Sequence, residues 1–284
     1  MEIPHFKATT WRLIKSPPAP GAWNMAVDEA LLYSVGIGSS APILRLYSWA
    51  PPCLSLGYAQ PFSDVNQERT TELGWEIVRR LTGGRAILHT DELTYSVIAS
   101  NHEPRLKGGI LESYMRLSQA LLKAVIALGI PAVASPQAQT TQNNEKGQNP
   151  VCFQVPSKYE ITWQGKKLLG SAQARKKEGI LQHGTLPLQG DLDRILEALN
   201  LNPHYKDSQA SQEKTTDLLG KATTLESILG TAPTWEEATS AFVDAFEEIL
   251  NITLLDDQLT SQEKERAQTL LEEKYTNPAW TMRI

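Results

Sequence analysis

The chain of 284 residues contains little cysteine and little histidine. Its two cysteines, Cys53 and Cys152, exclude a framework of disulfides, and its five histidines are scattered singly, without the spacing of a zinc site. This usage is typical of a reducing compartment. We therefore expect a cytoplasmic protein that binds no metal.

Long hydrophobic runs are also missing. The longest apolar stretch, residues 124–134, is far shorter than the roughly 20 residues that cross a membrane. Residues 1–18 lack the charged start and apolar run of a secretory signal. We expect neither a membrane segment nor a leader.

Neither sign of charge dominates. The 27 Lys and Arg against 32 Asp and Glu give a net charge of −5, which argues against a broad nucleic-acid surface. An apolar content of 41% can form a real core. We expect one catalytic domain over residues 1–284, with a helical C-terminal portion, 234–284, packed on it.

The spacing of apolar residues predicts strands and helices in turn. The predicted strands are 43–49, 53–58, 76–80, 86–89, 92–99, 159–163, 167–175 and 180–187. The first two are expected to form a hairpin-like pair, and the last three a meander. The predicted helices are 24–34 with Asn24 as N-cap, 112–128 with Gly129 as its stop, and two that begin with capping boxes at Thr234 and Thr260.

This order of elements predicts an α/β or α+β fold in which helices flank mixed sheets. The most polar stretches, Ser135–Asn149 and Pro203–Thr216, are predicted to be loops.

A glycine pair joins two predicted strands within Arg79-Arg80-Leu81-Thr82-Gly83-Gly84-Arg85. Bare backbone N–H groups at Gly83 and Gly84 could approach a ligand, with arginine charge on either side. The spacing is that of neither a Walker nor a Rossmann loop. A simple tight turn is the alternative.

Four more side chains are candidates for chemistry. Cys152 could be a nucleophile if its surroundings are electropositive, and Lys167 could be a fixed positive charge beside a cleft. His89 and His183 lie on strand segments near glycine. The alternatives are a buried apolar cysteine, a solvated lysine and two structural histidines. For Cys53, within an apolar strand, we expect a buried thiol.

Several stretches, in chain order, resemble the biotin/lipoate A/B protein ligase family, most closely the octanoyltransferase branch of its lipoate-protein ligase A type. They are Asn24–Ala30, Arg79–His89, Glu92–Ser96, Cys152–Phe153, Lys167–Gln173 and Ile180–Gly184. The resemblance implies a mixed-sheet domain that moves an octanoyl or lipoyl group onto a lysine of a lipoyl-domain protein.

The resemblance also assigns residues. It implies that Cys152 and Lys167 are catalytic. It implies that the acyl group is bound by Arg80, Thr82, Gly83, Gly84, Arg85, His89, Gly170, Ser171, Ala172 and His183. A basic rim of Arg79, Arg85, Lys158 and Arg175 would dock acidic partner proteins.

Cys152 favours the transferase branch, because the resemblance implies that ATP-using ligases share the scaffold but need no thiol at this position. We expect transfer from an octanoyl carrier protein through an acyl-thioenzyme to a lipoyl-domain protein such as glycine cleavage H-protein. The enzyme would act as a monomer, without ATP, metal, nucleic acid or membrane. Three alternatives stay open: an ATP-dependent lipoate ligase, an octanoyl amidotransferase between lipoyl-domain proteins, and a non-enzymatic acyl-binding protein.

Overall fold

Two β-sheets and the helices around them form the described part of the chain. A computed structural model of the protein describes residues 6–135, 160–200 and 220–284. The strands are β1 (Thr9–Lys15), β2 (Ile43–Tyr47), β3 (Cys53–Leu56), β4 (Glu76–Arg79), β5 (Ile87–His89), β6 (Glu92–Ala99), β7 (Val133–Ser135), β8 (Glu160–Trp163), β9 (Lys166–Arg175), β10 (Ile180–Pro187) and β11 (Ile252–Asp257). The α-helices are α1 (Gly21–Gly36), α2 (Gln67–Glu72), α3 (Ile110–Ala127), α4 (Leu225–Leu229), α5 (Trp235–Leu250), α6 (Ser261–Leu270) and α7 (Pro278–Thr281).

The larger sheet has eight strands in the order β11-β1-β2-β6-β10-β9-β8-β7. Strand β1 runs parallel to both β11 and β2, and the remaining pairs are antiparallel, so the sheet is mixed. The predicted fold class is therefore confirmed. The meander is confirmed too, because β8, β9 and β10 are neighbours along the chain and in the sheet.

Helices cover both faces of this sheet. On one face, α3 and α5 pack together over a core that includes Tyr95, Phe242 and Phe246. On the other face, α1 packs with α6 over a second core, which includes Leu31 and Tyr47. Apolar side chains on both faces explain why β6 and β10 are buried along their whole length.

The smaller sheet has three strands in the order β4-β3-β5. The expected hairpin of 43–49 with 53–58 is wrong, because β2 lies between β1 and β6 while β3 is the centre of the other sheet. Local alternation predicts that both segments are extended, but their partners come from distant parts of the chain. The turn between them carries the chain from one sheet to the other.

Helix α1 begins three residues earlier than predicted, and Asn24 is not its N-cap. Pro20 precedes the helix, and the carboxylate of Glu76 on β4 accepts a hydrogen bond from the backbone N–H of Gly21 at 2.7 Å. This acceptor lies far away in sequence, so no local pattern indicates it. Asn24 is buried inside the helix and donates to the carbonyls of Ala19 and Ser48.

Both predicted capping boxes are present. Thr234 and Glu237 bond reciprocally at the start of α5, and Thr260 and Glu263 do the same at the start of α6. Between these helices the chain forms β11, which lies within the portion expected to be helical. Its parallel pairing with β1 joins the two ends of the chain, a contact that local periodicity does not reveal.

No helix in the described ranges is long and apolar enough to cross a membrane. Most of the predicted loop Ser135–Asn149, of which only Ser135 is described, and the predicted connector Pro203–Thr216 lie outside the described residues.

The cap of α6 is expected to contribute measurably to stability. Thr260→Ala removes the side-chain oxygen that accepts the backbone N–H of Glu263, so the free energy of unfolding should fall by about 1 kcal/mol. Urea unfolding measures this loss. Thr260→Ser keeps the oxygen and is the matched control; equal losses in both variants would contradict the capping role.

Candidate active site

A pocket opens between the two sheets. It has about 340 Å³ of empty volume. Its walls consist of Tyr47, Trp49, Arg80, Ile87, His89, Thr94, Gly170, Ser171, Ala172, His183, Gly184 and Thr185. Six of the predicted acyl-binding residues are therefore brought together: Arg80, His89, Gly170, Ser171, Ala172 and His183.

Small residues on β9 leave the space for this pocket. Residues directly opposite each other in an antiparallel ladder point to the same face. Gly170 pairs with Thr185, and Ala172 pairs with His183, so the β9 positions add little bulk beside the larger β10 side chains. A side chain at Gly184 would overlap the backbone of β9, and it would meet the Tyr95 ring at 2.7 Å.

The glycine turn is held by the buried side chain of Arg80. Its guanidinium donates to the carbonyls of Gly83 at 3.2 Å and Arg85 at 2.9 Å, and to the carbonyl of Ser55 at 2.7 Å. Gly84 has a φ of +92°, which favours glycine. The structure thus makes Arg80 a clamp on the turn as well as part of the pocket wall.

The rest of the turn lies outside the pocket wall. Thr82 is buried, and its hydroxyl contacts Nε2 of His183 at 2.7 Å, so it borders the pocket through that histidine. Gly83 and Gly84 are exposed, and Arg85 is half-buried.

The predicted basic rim is wrong for Arg79. That residue is fully buried, and its guanidinium donates to backbone carbonyls that include Thr281 at 2.7 Å and Gln60 at 2.6 Å. Arg175 is half-buried and donates to the carbonyl of Leu106 at 2.9 Å. Lys158 lies outside the described residues. Two of the four arginines and lysines named for the rim thus bond to the protein's own backbone.

The position of the His89 ring is fixed by one stacking contact and by one polar contact at each ring nitrogen. Its ring stacks on Trp49 with 3.9 Å between centroids and 11° between planes. Nδ1 contacts the Glu92 carboxylate, and Nε2 lies 2.6 Å from Ser55 Oγ. Both ring nitrogens of His89 are therefore paired, one with a carboxylate and the other with a hydroxyl. Glu92 and Ser55 were not predicted, although Glu92 lies in a stretch that carries the resemblance.

His183 belongs to a second buried network, centred on Asp28 of α1. The Asp28 carboxylate accepts from Arg45 at 2.7 Å and Ser96 at 2.7 Å, and it lies 3.4 Å from Nδ1 of His183. Burial alone would raise the pKa of Asp28, but Arg45, His183 and Ser96 outweigh it and lower the pKa. Asp28 thus stays ionised.

Burial, which raises the pKa of a carboxyl group, lowers the pKa of a histidine. It lowers the pKa of His183 below 6.5, and the hydrogen bond that His183 donates to Asp28 only partly offsets this effect. His183 is therefore neutral at pH 7, with its proton directed at Asp28 and Nε2 accepting from the Thr82 hydroxyl. Asp28 was not predicted as a site residue, although it lies in Asn24–Ala30, a stretch that carries the resemblance.

Lys167 is a buried cation. It is 5% exposed, and its Nζ lies 2.5 Å from Glu160 Oε1 on the neighbouring strand β8. Its backbone N–H donates to Lys221 at 2.6 Å, and its carbonyl accepts from Thr223 at 3.0 Å. The structure thus supports the fixed charge over the solvated side chain. Glu160, its partner, was not predicted.

Of the two predicted catalytic residues, the structure describes Lys167 but not Cys152. Lys167 precedes Gly170 by three residues on β9 and is not part of the pocket wall. Cys152 lies outside the described residues. The other thiol, Cys53, is fully buried as expected; burial raises its pKa well above 9.0, and Glu76 and Glu92 raise it further. Across the described ranges, no group of three or more metal-ligating side chains forms a metal site.

Comparison with known proteins relates the chain to one family. The family model described as the lipoyl protein ligase A/B catalytic domain matches residues 20–247. The octanoyltransferase LipM of Symbiobacterium thermophilum is 38% identical over 277 residues, which cover 97% of this chain and 99% of that protein. The octanoyltransferase LipM of Bacillus subtilis is 38% identical over 276 residues, 95% of this chain and 97% of that protein.

Solved structures with the same fold are lipoate ligases. A bipartite lipoate protein ligase from Thermoplasma acidophilum, studied with its E2 lipoyl domain, superposes with a TM-score of 0.78 at 23% identity, covering 96% of each chain. A lipoate-protein ligase A bound with ATP gives a TM-score of 0.77 at 24% identity, over 96% of this chain and 99% of that one. At these identities the likeness shows the fold.

The buried state of His183 should make stability depend on pH. Its native pKa is below the ordinary 6.5. When the pH falls below 6.5, this histidine binds a proton in the unfolded chain but stays neutral in the native protein. The free energy of unfolding therefore falls, until the pH reaches the lower native pKa and the native protein binds the proton too. The slope contributed is at most about 1.4 kcal/mol per pH unit.

Urea unfolding between about pH 7 and about pH 5 measures this slope. His183→Gln should flatten it relative to the native protein. His102→Gln, at an exposed histidine, is the control and should leave the slope unchanged. An unaltered slope in His183→Gln would show that this site does not carry the pH dependence.

Proposed function

The chain belongs to the lipoyl protein ligase A/B catalytic domain family and is an octanoyltransferase of lipoate biosynthesis, and from this premise we propose that it works through a Cys152 acyl-thioenzyme. The observation that supports the proposal is a pocket whose wall includes Gly170 of β9, the strand that also carries the buried Lys167. The pocket accounts for retention of the chain, and the lysine for activation of a thiol.

The proposed reaction has two steps. The Cys152 thiolate attacks the carbonyl carbon of an octanoyl thioester; the new C–S bond forms, the donor's C–S bond breaks, and the donor thiolate leaves and takes up a proton. The amine of the acceptor lysine then attacks the octanoyl-enzyme. An amide C–N bond forms, the bond to Cys152 breaks, and the amine gives up a proton.

No nucleotide is required for this sequence of steps. Exchange between two thioesters is nearly balanced in free energy, and formation of an amide from a thioester is downhill. We therefore propose that the enzyme uses neither ATP nor a metal.

Lys167 is proposed to lower the pKa of the Cys152 thiol. A nearby ammonium favours the thiolate, and a carboxylate partner holds that ammonium in one position. The Nζ of Lys167 is 2.5 Å from Glu160, and both side chains are buried, which suits a fixed charge. Glu160 would then be a positioning residue, acting through Lys167.

The pocket suits a medium-length acyl chain. Burial of about six methylenes at ~0.8 kcal/mol each gives roughly 5 kcal/mol of gross binding, enough to hold the chain while the carrier leaves. One methylene fewer costs about 1–3 kcal/mol, so shorter chains should be poorer substrates but still active.

We propose a lipoyl-domain protein, such as glycine cleavage H-protein, as the acceptor and an octanoyl carrier protein as the donor. The family membership supports the lipoyl-domain acceptor. The carrier protein as donor, action as a monomer and location in the cytoplasm stay predictions.

The acyl-thioenzyme has a direct test. Purified protein mixed with octanoyl carrier protein, without ATP, should gain one octanoyl group by intact-mass analysis and pass it to a lipoyl domain. Cys152→Ser should show neither the adduct nor the transfer. Cys53→Ser serves as the matched control at the buried cysteine and should retain both.

Each alternative predicts a different outcome. Turnover that persists in Cys152→Ser, with pyrophosphate released only when ATP and lipoate are present, would indicate a ligase. Acylation by an octanoylated lipoyl domain but not by the carrier protein would indicate an amidotransferase. Bound octanoate that never forms a covalent adduct would indicate an acyl-binding protein.

The role of Lys167 should be visible in the reactivity of the thiol. Because Cys53 is buried and its pKa is raised, iodoacetamide should label Cys152 alone in the native protein. The pH midpoint of labelling should lie below the ordinary ~8.5 of a free thiol. Lys167→Met combined with Glu160→Gln, which removes both members of this buried ion pair, should raise that midpoint.

Two controls isolate the effect. Glu160→Gln alone keeps the lysine and should shift the midpoint less than the double variant. Lys166→Met removes an exposed charge one residue away and should not shift it. A midpoint equal to that of the native protein in the double variant would exclude the proposed role of Lys167.

A further inference from the structure

One hydroxyl in the pocket wall has no hydrogen-bond partner in the part of the chain that the structure describes. Thr185 lies on β10, is 1% exposed and lines the pocket. Its Oγ1 is buried and unpaired, and within the described ranges no other pocket-lining side chain has a buried polar atom in that state. Buried polar groups are normally paired, so an exception points to a partner that the protein does not supply.

The other polar side chains around Thr185 are all satisfied. Thr94, directly opposite on β6, accepts from Trp49 at 2.8 Å and donates to Glu92 at 3.1 Å. His183, two residues earlier on β10, contacts Thr82 and Asp28. Ser171 pairs with the Tyr95 hydroxyl at 2.7 Å. None of these groups is left to pair with Thr185.

The strand register places the side chain of Thr185 on the face of the sheet that borders the pocket. Its direct neighbours are Thr94 on β6 and Gly170 on β9. Directly opposite residues share a face, so its side chain lies on the same face as Thr94, which also lines the pocket. Gly170 has no side chain to fill the adjoining volume.

Thr185 also lies at a defined end of the pocket. Its partner Gly170 is the wall residue of β9 nearest to Lys167 in sequence. Ala172 and His183 lie two residues farther along their strands, roughly 7 Å away. The unpaired hydroxyl therefore lies at the end of the wall that is nearer to Lys167 along β9.

An octanoyl chain offers this hydroxyl only one good acceptor. Its tail consists of methylenes and a methyl group, and its carbonyl oxygen is its only strong hydrogen-bond acceptor. In the reaction proposed above, that carbonyl must be close to Cys152 and Lys167 when the thiolate attacks.

We propose that Thr185 donates a hydrogen bond from Oγ1 to the acyl carbonyl oxygen and stabilises the oxyanion that forms there. The inference rests on the proposed function. The hydroxyl keeps its proton throughout, so Thr185 acts as an electrostatic catalyst and exchanges no atoms with the substrate. Its donor is already held in place on β10 before the substrate arrives, so little reorganisation is needed when the charge develops.

The test compares two substitutions that differ in one group. Thr185→Val keeps the branched shape and removes the hydroxyl; Thr185→Ser keeps the hydroxyl. ATP-independent transfer from octanoyl carrier protein to a lipoyl domain should lose about 10²-fold in kcat with Thr185→Val, with little change in KM. Thr185→Ser should stay within a few-fold of the native protein.

Two further readouts separate this role from a structural one. Thermal unfolding of Thr185→Val should occur at or above the native temperature, because no hydrogen bond of the folded protein is lost. The loss in kcat should also be equal for octanoyl and hexanoyl donors, since the hydroxyl contacts the carbonyl and not the tail.

The outcomes are distinct. Native kcat in Thr185→Val overturns the inference and leaves the proposed function intact. A lower unfolding temperature with a raised KM, not rescued by Thr185→Ser, overturns it in favour of a packing role. Native protein that forms no octanoyl-enzyme overturns the proposed function and the inference together, and this result is seen without any Thr185 variant.

Discussion

The cost of burying polar groups governs the arrangement of the site. Most residues in the wall of the pocket between the two sheets are buried, so the polar atoms of that wall need partners within the protein or in a bound ligand. His89 pairs with Glu92 and Ser55, and His183 pairs with Asp28 and Thr82. These contacts hold both imidazole rings in one orientation. Among the described residues of the wall, Thr185 has the one buried side-chain polar atom that lacks a partner.

The buried ion pairs serve position more than stability. Arg45 with Asp28, and Lys167 with Glu160, each place a full charge where water is excluded, and the desolvation cost offsets most of their attraction. Each pair nevertheless joins separate elements: the first links β2 to α1, and the second links β9 to β8. The network of Asp28 then reaches the glycine turn through His183 and Thr82. Helix α1 is thereby tied to the wall of the pocket.

Glycines and other small residues leave the volume of the pocket free, and buried arginines hold the backbone around it in place. Gly170 and Ala172 leave room above β9, and Gly184 lets β10 approach both β9 and Tyr95. Arg80 fixes the stretch that joins β4 to β5 by donating to carbonyls within it, whereas Arg79 donates to the carbonyls of Gln60 and Thr281, which lie outside it. The arginines Arg79 and Arg80, which suggest a cationic surface in the sequence, therefore hold backbone segments in place in the fold.

The sequence alone determined the elements with strong local periodicity and local caps. Helix α3, the meander of β8 to β10, and the capping boxes at Thr234 and Thr260 follow from patterns within a few residues, because hydrophobic spacing and side-chain capping are local effects. The resemblance of short stretches likewise identified six residues of the pocket wall. Only the tertiary structure decided the separation of β2 and β3 into different sheets, the pairing of β1 with β11 and the cap of α1 by Glu76. It also decided the partners of Lys167 and His183, and the unpaired state of Thr185. These depend on which distant segments meet and on how much water they exclude, and burial of that kind is a property of the assembled fold.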